Sequence, residues 1–306
     1  MVVVGSINAD IVLAVDELPL PGQTVLAGST KVLPGGKGAN QAVAAARLGA
    51  RVAFIGAVGE DPYAGLALAG LREAGVDISG VAAVGETTGQ AFVAVDRSGE
   101  NSIIVSPGAN ARVDEALVSR HRKLLASAAV LVLQGELPPE AANAAARATS
   151  ARLVLNLAPV IPLDPALIRE SDPLVVNEHE ARLALKMLGA PAGEGPETDE
   201  SVVAALVGRG IRSVVMTRGA RGALLADGAG LTSIPAPPVD ALDTTGAGDA
   251  FVGALSARIG EGSTLEEAVR LAVRVGAYAV QHSGAQPSYP PTTDVLPGGA
   301  SSSSTA

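Results

Sequence analysis

The run Asp243-Thr-Thr-Gly-Ala-Gly-Asp249 sets two glycines around an alanine directly ahead of a carboxylate and an apolar, helix-like stretch. Glycines let the backbone come close to a ligand, and a helix starting there turns free N–H groups and its positive end outward, so the turn suits an anion. Asp249 stands where that anion would arrive. Two anions repel each other, whereas a neutral hydroxyl between them does not. The chemistry this favours is phosphoryl transfer to an alcohol, with Asp249 orienting the hydroxyl and taking its proton late. The competing reading is a capping aspartate beside flexible glycines.

Other residues could serve the same reaction. Asn8, Asp10, Lys37 and Asn40 offer the donors and acceptors that a polyol needs, although turn and cap chemistry would use the same residue types. Glu136 follows the strand expected at Val130 to Leu133, at a carboxyl end, where open α/β sheets bind ligands. Asn177 and Glu180 open a helix and could face one site through a hydrated magnesium ion. The same spacing equally describes a capping box. Thr217-Arg-Gly219-Ala-Arg-Gly222 is a glycine turn able to pass close to a nucleotide, or a plain hairpin. Two nucleotide motifs fail. Gly36-Lys37 is followed by Gly38 rather than Ser or Thr, so there is no Walker A loop, and after Gly246 and Gly248 the next glycine is Gly253, so there is no dinucleotide fingerprint.

These residues need elements to position them. Val2 to Val4 reads as a strand buried on both faces. Ile11 to Val32 is broken by Pro19, Pro21 and Gly22 and reads as a small half-exposed sheet, which a hairpin-like pair at Gly89 to Asp96 and Asn101 to Val105 could join. An alanine-rich helix runs to Leu48, then a strand over Arg51 to Val58 and a helix over Tyr63 to Ala74. Beyond Asp114, helices to about Leu125, at Pro139 to Ala148 and at Glu178 to Leu188 alternate with strands at Val130 to Leu133, Leu153 to Asn156 and Leu174 to Val176. Strands at Val214 to Thr217 and Ala223 to Ala226 follow, and helices Ala247 to Ile259 and Leu265 to Val280 finish the core. Such alternation predicts a mostly parallel sheet covered on both sides.

The 306 residues, 48% apolar, can bury one large core, and residues 1–306 read as a single domain. Gly189 to Pro196 reads as a surface loop and Ser301 to Ala306 as a disordered tail. A net charge of −9 with no basic run argues against nucleic acid or an anionic membrane as partner, leaving small molecules. The absence of cysteine excludes thiol nucleophiles and thiolate metal sites, and three histidines leave little room for imidazole chemistry. The start of the chain lacks signal-peptide character and every apolar run is interrupted before spanning length, so a cytoplasmic location is expected.

Taken together the residues resemble the ribokinase branch of the carbohydrate kinases named after the minor phosphofructokinase. The motifs that carry the resemblance are Gly5-Ser-Ile-Asn-Ala-Asp10, Gly35-Gly-Lys-Gly-Ala-Asn-Gln-Ala-Val-Ala-Ala45, Asn177-Glu-His-Glu180, Asp243 to Asp249 and Gly284-Ala-Gln-Pro-Ser288, all in family order and spacing. The resemblance implies a three-layer α/β/α core with a mostly parallel sheet, plus a small β-sheet lid from about residues 11–33 and 89–105. It implies ATP-dependent phosphorylation of the C5 hydroxyl of D-ribose, with Asn8, Asp10, Gly36, Lys37, Asn40 and Glu136 holding the sugar. Asp249 would be the base, and Gly246, Ala247 and Gly248 the anion hole. Asn177 and Glu180 would serve the magnesium and phosphate region, and Thr217, Gly219 and Gly222 would border the nucleotide. A potassium site would use Asp243, Thr245, Ala279, His282, Gly284 and Ser288, mostly through backbone carbonyls. Lids of two subunits would clasp into a homodimer. Val273 lies where relatives often place a polar residue near adenine. Rival readings are a kinase for deoxyribose, fructose or a nucleoside, and a sugar-binding regulator without catalysis. The scarcity of aromatic residues, with Phe92 alone in the expected lid, disfavours a base-stacking pocket.

Overall fold

The computed structural model describes residues 1–97, 99–189 and 198–298. The expected tail at Ser301 to Ala306, and all of the expected loop after Gly189, lie outside the described residues.

Thirteen strands are formed among the described residues: β1 Val2–Val4, β2 Asn8–Ala14, β3 Ser29–Gly35, β4 Ala53–Gly59, β5 Asp77–Val84, β6 Gly89–Val95, β7 Asn101–Ser106, β8 Val130–Gln134, β9 Arg152–Asn156, β10 Leu174–Asn177, β11 Val214–Thr217, β12 Ala223–Asp227 and β13 Gly230–Ile234. Nine make the main sheet, in the order β13-β12-β11-β10-β9-β8-β1-β4-β5. It is parallel from β5 to β11 and closes with two antiparallel strands. β1, β4 and β8 are buried along their whole length, as strands covered on both faces must be.

Alternation along each strand builds two cores. Val3, Val132, Val154, Val175 and Val215 face the layer of helices Lys37–Arg47, Ala247–Gly260 and Leu265–Ala279. Val2, Val4, Leu131, Leu133 and Leu155 face the opposite layer, which includes Pro139–Arg147, Glu178–Met187 and Asp199–Gly208. The result is three layers, with the sheet between helices.

The segments expected to form a small sheet do so, in the order β3-β2-β6-β7, with β2 and β6 parallel and the outer pairs antiparallel. Its strands start earlier and end later than the turn signals implied, at Asn8 and Gly35. The two long helices expected at Tyr63 to Ala74 and beyond Asp114 are each broken in two. The breaks fall at Leu68 and His121, whose backbone turns cap one segment and begin the next. β5, β13 and the helices Pro165–Glu170 and Asp199–Gly208 carry weaker periodic signals than their neighbours and are formed by packing against the core. Among the described residues no helix is long and apolar enough to cross a membrane.

Two glycine contacts bring the functional elements together. Gly5, after β1, and Gly38, in the first turn of helix Lys37–Arg47, approach so closely that a Cβ at Gly38 would lie 2.6 Å from the Gly5 Cα. In helix Ala247–Gly260, a Cβ at Gly253 would lie 2.6 Å from both the Ala44 Cβ and the Gln41 carbonyl oxygen. The obstacle includes backbone, so it has little room to give. Gly253→Ala is expected to destabilise the protein by about 1–3 kcal/mol through overpacking. Urea unfolding would register this as a lower midpoint with an unchanged slope.

Candidate active site

The chain leaves β1 at Gly5 and crosses to the second sheet through Ser6 and Ile7, which are buried. Ser6 Oγ donates to Glu136 Oε2 at 2.5 Å, and the Lys37 backbone N–H donates to the same oxygen at 3.0 Å. Gly38 N–H donates to Ser6 Oγ at 3.3 Å. Glu136, just past β8, is thus tied to the crossing and to the start of helix Lys37–Arg47. Gly36 precedes that helix with φ +89°, and a Cβ there would lie 2.8 Å from the Ser6 carbonyl oxygen. A Cβ at Gly35 would overlap the Asp10 carboxylate. The two glycines therefore let Asp10 and the helix start share one small space.

That space is a cavity of about 770 Å³ between the main and second sheets. Asn8, Asp10, Gly36, Lys37, Asn40, Glu136 and Asp249 all line it, together with Glu180, Thr245 and Gly246. The second sheet contributes Ala91, Val93, Ile103 and Val105, an apolar wall facing the polar floor. Asn8 is held by Asn110, whose Nδ2 donates to Asn8 Oδ1 at 2.8 Å and whose Oδ1 accepts from Ile7 N–H at 3.0 Å. Asn110 belongs to no motif, and only its burial in the fold identifies it.

Asp249 lies in the first turn of helix Ala247–Gly260 and is 7% exposed. Its Oδ2 accepts from Asn40 Nδ2 at 3.0 Å and its Oδ1 from Gln41 Nε2 at 2.9 Å. Burial, then the nearby charges of Glu136 and Asp249, push the Asp10 carboxyl up to about 7, with Lys37 opposing. Asp10 Oδ1 is buried and has no hydrogen-bond partner among the described residues. The Asp249 carboxylate raises the Lys37 ammonium above its ordinary value against the effect of burial, with Glu136, Glu180 and Asp10 adding to it. Burial raises Glu180, opposed by its backbone hydrogen bond and by Lys37.

The turn ahead of Asp249 is fixed from behind. Gly246 is left-handed at φ +72°, and a Cβ on it would lie 2.6 Å from the Ala285 Cβ and the Tyr289 hydroxyl. Tyr289 Oη donates to the Gly246 carbonyl at 3.1 Å. Beyond the turn lies a second cavity, about 620 Å³, lined by Thr217, Gly219, Gly222, Ala247, Gly248 and Val273. Thr244 lines both cavities, so the glycine turn lies between them.

Asn177 and Glu180 do not stand side by side in the cavity. They form a capping box: Glu180 N–H donates to Asn177 Oδ1 and Asn177 N–H to Glu180 Oε2, both at 2.8 Å. Asn177 is exposed, and of the pair only Glu180 lines the cavity. Asp243 accepts from Thr245 N–H at 2.9 Å and Gly284 N–H at 2.8 Å, drawing the two loops together. Burial works against its charge, but these bonds prevail and hold its carboxyl below the ordinary value. Ala279 ends helix Leu265–Ala279, and its carbonyl accepts from His282 N–H. The His282 ring stacks on Tyr278, and Ser288 Oγ donates to the Ala285 carbonyl at 2.7 Å. Among the described residues no three His, Cys, Asp or Glu side chains gather into a metal cluster.

A three-layer core with a second sheet over a polar cavity, and a carboxylate beside a glycine turn opening on another cavity, is the ribokinase-like fold with the layout of a small-molecule kinase. Residues 1–292 match the family described as pfkB family carbohydrate kinase. The chain belongs to this family and is a sugar kinase. It is 36% identical over 307 residues to ribokinase of Schizosaccharomyces pombe, covering 96% of each chain, and 36% identical to that of Haemophilus influenzae, covering 97% of each. Among solved structures it is similar to ribokinase from Thermotoga maritima, with TM-score 0.87, 35% identity and 95% and 96% of the two chains covered. It is also similar to Arabidopsis thaliana ribokinase complexed with ribose and ATP, with TM-score 0.83, 33% identity and 95% of each chain covered.

The environment of Asp10 has a consequence for stability. Its folded value of about 7 exceeds the ordinary 3.8, so the folded state binds this proton more tightly than the unfolded chain does. The resulting stability is full below the ordinary value and is lost as pH rises through the folded one. Asp10→Asn removes the loss, so the difference in melting temperature between variant and parent is expected to grow from about pH 4 to about pH 7 and then level off. Thermal melts of the ligand-free protein across that range check it.

Proposed function

We propose that this protein transfers the γ-phosphoryl group of ATP to the C5 hydroxyl of D-ribose, giving D-ribose 5-phosphate and ADP. The observation that carries the reading is the position of Asp249 beside a glycine turn that separates a polar cavity from a second one. The sugar occupies the polar cavity, held by Asn8, Asp10, Lys37, Asn40, Glu136 and the backbone at Gly36. Asp10 Oδ1 takes a hydrogen bond from a sugar hydroxyl. Asp249 accepts the proton of the C5 hydroxyl as that oxygen bonds to the γ-phosphorus and the bond to the β-phosphate oxygen breaks. Gly246 and Gly248 present backbone N–H groups to the charge on the transferring group, joined by that of Ala247, which otherwise donates to the Thr244 carbonyl at 3.3 Å. The nucleotide lies along Thr217, Gly219 and Gly222. The names of the relatives support ribose as acceptor, and one similar structure is of a ribokinase complexed with ribose and ATP. No aromatic residue lines the polar cavity among the described residues, which disfavours a stacked nucleoside base.

Magnesium is required in this reading, with Glu180 as its protein neighbour through water. One carboxylate facing the cavity, its second oxygen in the helix cap, fits an ion that keeps most of its shell as water and phosphate. When bound it would neutralise phosphate charge. A potassium ion fits the Asp243, Thr245, Ala279, His282, Gly284 and Ser288 loops, which supply one carboxylate and otherwise hard backbone or hydroxyl oxygens. Asn177 acts through the cap that orients Glu180. We further read the second sheet as a lid, since Ile103 on β7 lines the cavity, and as the contact of a homodimer, since the next residue, Ile104, points to the opposite face and is 68% exposed. Use of ATP and a free sugar agrees with a cytoplasmic enzyme.

Phosphate transfer from labelled ATP across ribose, deoxyribose, fructose and nucleosides tests the acceptor, with ribose expected to give the highest kcat/KM. A preference for any other acceptor rejects the assignment, and no transfer at all favours a sugar-binding regulator. Asp249→Ala should lower kcat by about 10²–10⁴-fold while ribose still binds. Near-normal turnover would remove Asp249 from its role. Activity should be higher in potassium than in sodium at equal ionic strength; equal rates would sink the potassium site.

A further inference from the structure

Asp249 is the meeting point of two buried amide arms. In one, Gln286 Nε2 donates to Asn40 Oδ1 at 3.0 Å and Asn40 Nδ2 donates to Asp249 Oδ2 at 3.0 Å. In the other, Gln134 Nε2 donates to Gln41 Oε1 at 2.8 Å and Gln41 Nε2 donates to Asp249 Oδ1 at 2.9 Å. Gln41 Nε2 also donates to Asn156 Oδ1 at 2.9 Å, and Asn156 Nδ2 donates to the Val175 carbonyl at 3.1 Å.

Both arms have the same polarity: Gln286, Asn40, Gln134 and Gln41 each present the N–H side towards the carboxylate, while Asn156 accepts from Gln41 at the side. The far ends bear the consequence, since Gln286 Oε1 and Gln134 Oε1 are buried with no partner among the described residues. Unmade bonds of this kind are costly. Reversing the amides would turn their oxygens on Asp249, which an ionised carboxylate forbids.

Room for the two ends is made by glycines outside the glycine turn. A Cβ at Gly70 would lie 1.8 Å from Gln286 Oε1, and one at Gly5 would lie 2.3 Å from Gln134 Oε1. Gly70 lies within helix Ala69–Glu73, where glycine weakens a helix, and it lines neither cavity. Gln41 is fully buried on a helix face otherwise packed by alanine and valine, and it too lines neither cavity.

We propose that Gln41 is a positioning residue for phosphoryl transfer: braced by Gln134 and Asn156, it fixes the orientation of Asp249, while Gln286, seated against Gly70, braces the opposite oxygen through Asn40. The proposal rests on Asp249 being the base. Gln41 touches no substrate, so its loss acts on turnover rather than on sugar binding. The other titratable groups facing Asp249 are Lys37, Asp10, Glu180 and Tyr289, with Glu136 beside Asp10. None of them is altered by the variants below.

The test is steady-state kinetics for Gln41→Leu, Gly70→Ala and Asp249→Asn, with thermal melts to verify folding. Gln41→Leu should lower kcat on the order of 10- to 100-fold and leave the sugar KM within about threefold. Gly70→Ala, remote from both cavities, should lower kcat by less. A folded Gln41→Leu with unchanged kcat, beside an inactive Asp249→Asn, overturns the proposal alone. Should Gln41→Leu not fold, an unchanged Gly70→Ala overturns it. An active Asp249→Asn instead overturns the reading of Asp249 as base.

Discussion

One lysine stands among four carboxylates, and the polar cavity is organised around that imbalance. Lys37 feels the charges of Asp249, Glu136, Glu180 and Asp10 together, and Asp249 is the strongest of them. A single cation cannot satisfy four anions in a partly buried space. The residue that yields is Asp10, whose carboxyl is pushed up to about 7. Such a cavity repels anions and welcomes a neutral molecule rich in hydroxyl donors, since each donor relieves part of the repulsion. In the proposed reaction the phosphate groups lie on the other side of the glycine turn, at the start of helix Ala247–Gly260.

The backbone makes this concentration of charge possible. Glu136 is stabilised by Ser6 and by the Lys37 N–H, so one carboxylate joins three segments that are far apart in sequence. The contacts at Gly5, Gly38 and Gly253 draw β1 and two helices closer than side chains would permit, which places Asn40 and Gln41 against Asp249. Tyr289 donates to the turn from behind, and burial keeps its hydroxyl protonated. Charge and close packing are thus coupled. A shift of helix Lys37–Arg47 away from β1 would separate Lys37 from the carboxylates and Asn40 from Asp249 together.

Much of this was legible in the amino-acid sequence because polar residues and glycines fall just after apolar strands or at helix starts. Asn8, Asp10, Gly36, Lys37 and Asn40 are of this kind, and the structure brings them into one cavity with Glu136 and Asp249. Asn177 and Glu180 were ambiguous for a physical reason: the spacing that lets two side chains share an ion also forms a capping box, and it is the box that forms. Gln134, Asn156 and Asn110 gave no signal, and Gln41 and Gln286 stand inside two of the motifs without anything there tying them to Asp249. The partner of each is commonly more than ninety positions away. β5 and β13 were missed because these edge strands are largely exposed or half-buried and lack a buried apolar run, and only pairing with β4 and β12 defines them.

The missed residues share a property that explains why a local reading cannot find them. A residue that touches a ligand must face a cavity, and the chain announces cavities through breaks in periodicity. A residue that orients another need only be buried and hydrogen-bonded, and nothing in its neighbourhood in sequence reports that. Gly70 is the extreme case: a small residue inside a short helix whose reason is an amide oxygen at Gln286, more than two hundred positions later. The order within the cavity is therefore maintained by residues that never reach it: Gln41, Gln134, Asn156 and Gln286 are linked to Asp249 through hydrogen bonds, and Asn110 holds Asn8.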